Sequence, residues 1–254
     1  MSARARATIA AASLAALGAC APPTQAAHPL ISDDTATQGP GRWQLEASID
    51  RARAPEAEGT AREHEFDLTL TRGLGDAFDL ALRLPWLRRE ATGAPVQRGS
   101  GDLALFAKWR LLETDAGFSL ALRPELTLAS GDRNKGLGNG RPTAALTLVP
   151  QLQDGAWTWL ANAGLVCNDN DVGARKRLWA VSSALLFTPA DAWSLAVEVG
   201  ASRAAEPGTP NRKFGLLGIV WHPDRDLDLD IGWRRSLGGS PTARTWGAGV
   251  ALRW

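Results

Sequence analysis

The sequence predicts an all-β fold: a twelve-stranded antiparallel transmembrane β-barrel with both termini periplasmic. Three observations predict it. From residue 42 to the end, apolar and polar residues alternate in segment after segment, the period-two pattern of strands with two unlike faces. Short connections alternate with longer ones. The chain's eleven Trp, with no Tyr, fall near segment ends. A soluble sandwich or lipocalin-like barrel concentrates Trp mid-strand, whereas two rows at opposite ends match the aromatic girdles of a membrane barrel.

The first strand alternates Trp43, Leu45, Ala47 and Ile49 with Arg42, Gln44, Glu46, Ser48 and Asp50. The second sets Phe66, Leu68 and Leu70 against Glu65, Asp67, Thr69 and Thr71, and the third sets Phe78, Leu80, Leu82, Leu84 and Trp86 against Asp79, Ala81 and Arg83. Nine similar segments follow at 101–111, 117–129, 142–153, 156–167, 177–187, 193–202, 213–222, 226–235 and 244–254. Each is about 10–12 residues long, enough for a tilted strand to cross the hydrocarbon core. The last alternates Trp246, Ala248, Val250, Leu252 and Trp254 with small or polar residues. Turns rich in Gly, Pro or Asp fall at 73–76, 113–116, 154–155, 189–192 and 223–226, and longer links at 53–61, 89–100, 130–141, 168–176, 203–212 and 236–243. Short on one side and long on the other is the pattern of periplasmic turns and extracellular loops, and an even strand count returns both termini to the periplasm.

The chain has 254 residues and a formal net charge of +1, which argues against nucleic acid as a partner. Its start reads as an export signal, with Arg4 and Arg6 before an apolar stretch from Ala7 to Ala19. Two cleavage readings compete. A signal peptide over 1–26 ends at Thr24-Gln25-Ala26, or a lipoprotein signal over 1–19 leaves an acylated Cys20. Residues 27–41 then form an N-terminal periplasmic segment or plug, and 42–254 the barrel. With Cys20 removed or acylated, Cys167 has no disulfide partner and reads as a small strand-end residue.

If Trp and Leu face lipid, the other register lines the lumen. Its charged members are Arg42, Glu46, Glu65, Asp67, Asp79, Arg83, Lys108, Arg110, Arg123, Glu125, Glu198, Asp228, Asp230 and Arg234. Asp50, Asp102 and Arg253 share that parity. Mixed signs imply pairing across the lumen, because isolated buried charge is costly. Strands six to ten instead turn Val149, Leu160, Val166, Leu186, Phe214, Leu216 and Val220 inward. One wall is thus charged and the other apolar. An apolar wall suits a conduit for a greasy or aromatic solute, or a surface on which a plug packs.

No metal, cofactor or catalytic site is expected. His28 lacks partner ligands, and His64 and His222 fall near strand ends with no nucleophilic serine in evidence. The glycines of 131–140 lack the spacing of a phosphate loop, so a flexible extracellular turn is expected there.

Two resemblances add to this reading. The final strand, ending at Trp254, resembles the C-terminal strand of bacterial outer-membrane barrels, which implies the barrel-assembly machinery as a partner. The stretch from His28-Pro29-Leu30-Ile31-Ser32-Asp33-Asp34 to Thr37-Gln38-Gly39, followed by Gly41-Arg42-Trp43-Gln44-Leu45-Glu46, resembles the opening of the outer-membrane transporters named for the meta-pathway of phenol degradation. Ser130-Gly131-Asp132 with Lys135-Gly136-Leu137-Gly138-Asn139-Gly140 resembles their loop motif. The resemblance implies residence in the outer membrane of a Gram-negative bacterium, with outer-membrane lipids and lipopolysaccharide around the barrel. It also implies passive passage of a small apolar or aromatic solute. A structural barrel with a sealed lumen is the rival reading.

Overall fold

The computed structural model describes residues 28–56, 59–170, 173–238 and 242–254. Both cleavage readings lie outside the described residues. The alternating segments form β1 (Trp43–Glu56), β2 (Gly59–Gly75), β3 (Phe78–Glu90), β4 (Gln97–Ser100), β5 (Ala104–Glu113), β6 (Phe118–Thr127), β7 (Thr143–Asp154), β8 (Trp157–Cys167), β9 (Arg177–Ala190), β10 (Trp193–Ser202), β11 (Arg212–Asp224), β12 (Leu227–Ser236) and β13 (Arg244–Arg253). Every pairing is antiparallel. β1 pairs with both β2 and β13, which closes the sheet into a barrel. Closure leaves no open edge, the condition for β-structure in hydrocarbon.

The staves number twelve because β4 and β5 share one place: β3 pairs with β5 through 78–83 and with β4 through 86–89. The break between them is sealed by Gly101, whose N–H donates to the Pro85 carbonyl at 2.9 Å. The link expected over 53–61 is instead mostly strand, since β1 runs to Glu56 and β2 resumes at Gly59. Regular cross-strand partners from Trp43↔Arg72 to Glu56↔Gly59 carry the hairpin to its tip.

The two ends of the barrel differ. At one end the connections after β2, β5, β7, β9 and β11 are short, and Trp43 and Trp254 exchange backbone hydrogen bonds of 2.9 and 3.1 Å. Both the barrel's first strand and its last therefore end on the short-turn side. Trp157 stacks on Phe187 there, and Trp193 on Trp221. Near the loop end Trp233 meets Trp246. Between these aromatic bands the outward positions are exposed Leu, Ile, Val and Trp, among them Leu195, Val197, Ile219 and Ile231. Inward positions alternate with them and are mostly buried or half-buried.

The loop at 130–141 is tied down rather than loose. A 3₁₀ turn, Arg133–Lys135, is capped by Asp132, and Gly136 closes it at φ 68°. Hydrogen bonding from Lys135 holds the exposed Asp132 carboxylate below its usual range. Asp102, at the β4–β5 break, accepts the N–H groups of Gly131 (2.8 Å) and Asn139 (2.6 Å), and Leu137 is buried beneath.

Candidate functional site

The lumen is the candidate site, and residues 28–41 run through it. A tight passage at the short-turn end admits the segment. Gly41 donates to the Gly73 carbonyl at 2.9 Å, and a Cβ added to Gly73 would stand 1.8 Å from the Gly39 carbonyl oxygen. Gln38 N–H donates to both oxygens of Asp79, at 3.1 and 3.0 Å. Thr35 bonds to Ser119 Oγ and to Gln151.

Next, Asp33 and Asp34 meet the charged wall. Lys108 Nζ lies 2.6 Å from Asp33 and 3.0 Å from Asp34, and Arg123 Nε lies 3.3 Å from Asp33. Arg123 also pairs with Glu125 and covers the Phe106 ring, with 4.0 Å from guanidinium carbon to ring centroid. Two adjacent acids repel, so this double carboxylate is stable in the lumen only against the matching cations.

Ser32 is 1% exposed, and Glu198, on β10, is 2% exposed. Glu198 accepts from Ile31 N–H (2.8 Å), Ser32 N–H (2.7 Å) and Ser32 Oγ (2.7 Å). It is the charged exception within the apolar wall, and it is satisfied by the segment's backbone. Beside it Leu30 packs on Leu160, Ala184, Leu186 and Ala196. Val149, Leu216 and Val220 are also buried, while Val166 and Phe214 are half-buried.

At the segment's start, His28 pairs with Asp230 and lies 3.8 Å from Asp50. Its seat is made of glycine. Gly218, Gly232 and Gly247 are register partners across β11, β12 and β13. A Cβ at Gly218 or Gly232 would stand 2.6 Å from Pro29, and one at Gly247 would stand 2.7 Å from His28 Nε2. Sequence reasoning missed this seat. Its signal was three inward glycines at mid-strand, where glycine weakens a strand and marks close backbone approach.

The remaining inward charges sort by height. Arg83 pairs with Asp67 (2.8 Å) and Glu65 (3.1 Å). These three, with Glu46, Asp79, Lys108, Arg123, Glu125, Asp230 and Arg234, line a cavity of about 530 Å³ beside the segment. Arg110 lies near the turn end, bonded to the Asp76 carbonyl and 3.3 Å from Glu113. Arg42 precedes β1, is exposed, and pairs with Asp226 at 2.8 Å on the rim.

Asp228 belongs to a buried network at the short-turn end. His222 is 8% exposed; its Nε2 lies 3.0 Å from Ser194 Oγ and its Nδ1 2.5 Å from Asp228. Arg253 completes the network, 2.5 Å from Asp228 and 2.8 Å from Gln44 Oε1. His222 does lie near a strand end, but it points inward and stands beside a serine that the sequence did not reveal as its neighbour. The order Ser–His–Asp matches a hydrolytic triad. Yet Ser194 is 0% exposed, shares its hydroxyl with Thr188, and lies outside the cavity lining. Ser194 is thus closed off from the cavity, and the network packs the barrel's end. Metal ligands in clusters of three or more are absent among the described residues.

The family model described as "Putative MetA-pathway of phenol degradation" matches residues 28–254. A search of curated proteins found no match. Among solved structures, an outer membrane channel from Pseudomonas putida F1 is similar with a TM-score of 0.74 at 16% identity, covering 87% of this chain and 98% of that one. The NanC porin gives 0.58 at 6% identity, covering 81% and 98% respectively. The translocator domain of autotransporter NalP from Neisseria meningitidis gives 0.52 at 12%, covering 85% and 89%. The fold is that of an outer-membrane β-barrel.

Proposed function

The chain belongs to the MetA-pathway phenol-degradation family, and from that premise we propose that it is a passive outer-membrane channel for small hydrophobic or aromatic compounds. The similar barrel of Pseudomonas putida F1 is itself described as a channel. The observation that carries the reading is an apolar wall covered by a segment outside the strand ladder: Leu30 lies on Leu160, Ala184, Leu186 and Ala196. The segment is held by hydrogen bonds and ion pairs, each worth on the order of 1–3 kcal/mol. Such contacts can exchange for water, whereas the strand ladders of the barrel cannot.

In this reading the short-turn end, with Trp43 and Trp254, faces the periplasm. Residues 28–41 act as a plug. Displacing Leu30 uncovers apolar surface along which an apolar solute partitions, while the facing ion pairs keep the barrel's shape. No covalent step is involved, and the buried Ser194–His222–Asp228 network is structural.

A second reading, a structural barrel with a permanently sealed lumen, is favoured by the number of anchors on residues 28–38. Planar-bilayer conductance with and without residues 28–41 separates the two. The channel reading expects current that rises on truncation; silence in both forms, with the barrel folded, supports the sealed barrel.

A further inference from the structure

The outer face of the barrel carries a row of arginines just beyond the tryptophans of the loop end. Arg235, Arg244, Arg53 and Arg62 occupy one rung across β12, β13, β1 and β2: Arg235 is the register partner of Arg244, Arg244 of Arg53, and Arg53 of Arg62. All four are exposed and share the parity of the outward-facing Trp233, Trp246, Ile49 and Phe66. Trp246 lies opposite Arg51, two residues closer to the membrane centre.

Strands in a sheet are about 4.8 Å apart, so four cations stand within about 15 Å. Like charges directly opposite one another oppose strand pairing. Among the described residues one carboxylate answers them, Glu90 at 3.7 Å from Arg62; Arg53, Arg235 and Arg244 make no ion pair there. The rung is therefore an exposed patch of positive charge, open to an anion from outside the chain.

A second observation points to which anion. Below Arg235 an apolar groove of about 530 Å³ runs down the lipid-facing surface, lined by Trp159, Leu185, Val197, Val199, Leu217 and Trp233. Its floor includes Gly215, where a Cβ would stand 3.3 Å from Leu237. Cations beside the head of an apolar, lipid-facing groove, at the level of an aromatic girdle, match a lipid better than a soluble ion.

We propose that this rung binds the phosphomonoester groups of an outer-leaflet glycolipid, a disaccharide phosphorylated at both ends as in lipopolysaccharide, with one acyl chain in the groove. Guanidinium forks bind phosphate oxygens in pairs, which suits a rung built of Arg and not Lys. The proposal shares with the preceding section the outward placement of the loop end. It does not depend on what crosses the lumen.

The test is a binding titration of the detergent-purified protein with lipid A, with dephosphorylated lipid A, and with inorganic phosphate. Lipid A is expected to bind. The Arg53→Ser/Arg244→Ser variant is expected to bind about thirtyfold more weakly, the effect of two basic residues at an anionic surface. Arg72→Ser/Arg225→Ser, at the opposite rim, is expected to bind as wild type. Heat-modifiable gel mobility reports folding, and Arg244→Gln alone, expected about fivefold weaker, serves if the double variant fails to fold. Undiminished binding by a folded variant, or equal binding of dephosphorylated lipid, overturns the proposal. Displacement of lipid A by millimolar phosphate would make the rung a free-anion site and overturn the lipid assignment. Surface labelling of Lys135→Cys in a Cys167→Ser background on intact cells reports sidedness separately. Labelling is expected, and its absence from a folded barrel would put the rung in the wrong leaflet. A failure to conduct or transport leaves the titration unaffected.

Discussion

Gly232→Val tests how the N-terminal segment is seated. A Cβ at this position would stand 2.6 Å from Pro29 Cβ and 3.4 Å from its Cγ. Carbon atoms settle at about 3.5–4.0 Å, so Pro29 must retreat by about 1 Å, and further for the two valine methyls. The barrel gains nothing to resist, because valine favours a strand and the ladder from Leu217↔Trp233 to Gly232↔Gly247 uses backbone atoms. The segment loses. Retreat of Pro29 draws His28 away from Asp230 and Asp50, and a charged hydrogen bond of that kind contributes about 1.5–3 kcal/mol. That shifts the seated-to-released ratio by about 10- to 150-fold. A nitroxide on Ile31→Cys in a Cys167→Ser background reads it directly: Ile31 is 50% exposed, so the label has room, and its spectrum should change from immobile to mobile. An unchanged spectrum in a correctly folded barrel would refute the glycine seat.

Other substitutions probe the remaining anchors. Glu198→Gln keeps the side chain's shape but weakens three hydrogen bonds from Ile31 and Ser32, and should mobilise the same label by a shift of about 1.5–3 kcal/mol. Arg253→Met removes one partner of a buried ion pair whose side chains are 2% and 1% exposed; by leaving the Asp228 carboxylate to the His222 ring alone it should cost about 3 kcal/mol, seen as a lower temperature of heat-modified migration. Ser194→Ala should lower that temperature only slightly and leave ester hydrolysis by the purified protein at background; a loss of measurable hydrolysis would restore a catalytic reading of the triad. Leu186→Asp puts a charge on the wall beneath Leu30 and should slow passage of apolar solutes, while unchanged passage would sink the apolar-wall mechanism.

The barrel was legible because each stave alternates over its membrane-crossing part, and alternation fixes which side chains face in once one face must be apolar. Charged inward residues were legible by the same parity, down to Glu198 standing alone among apolar neighbours. What parity cannot give is partnership. That Asp33 and Asp34 meet Lys108 and Arg123 depends on where a polar segment of no regular period lies within the barrel, and nothing in its local pattern sets that. The Ser194–His222–Asp228 network was missed for a related reason: its members lie on β10, β11 and β12, and they converge only across the barrel's register. Arg42 was placed inside by parity, but strand pairing starts one residue later, at Trp43, and the side chain turns out to Asp226. The β1–β2 link was read as a loop because alanine and charge blur the alternation after Asp50, yet paired strands persist there.

The central claim is passage of apolar solutes across an outer membrane whose polar, charged surface layer resists them. Uptake of a labelled neutral monoaromatic compound by intact cells tests it most directly, comparing a deletion strain with the same strain carrying wild-type protein or Leu186→Asp. The account predicts that wild type restores uptake and Leu186→Asp, present at equal level in the outer membrane, restores much less. Uptake equal in the deletion strain and the complemented strain would contradict it.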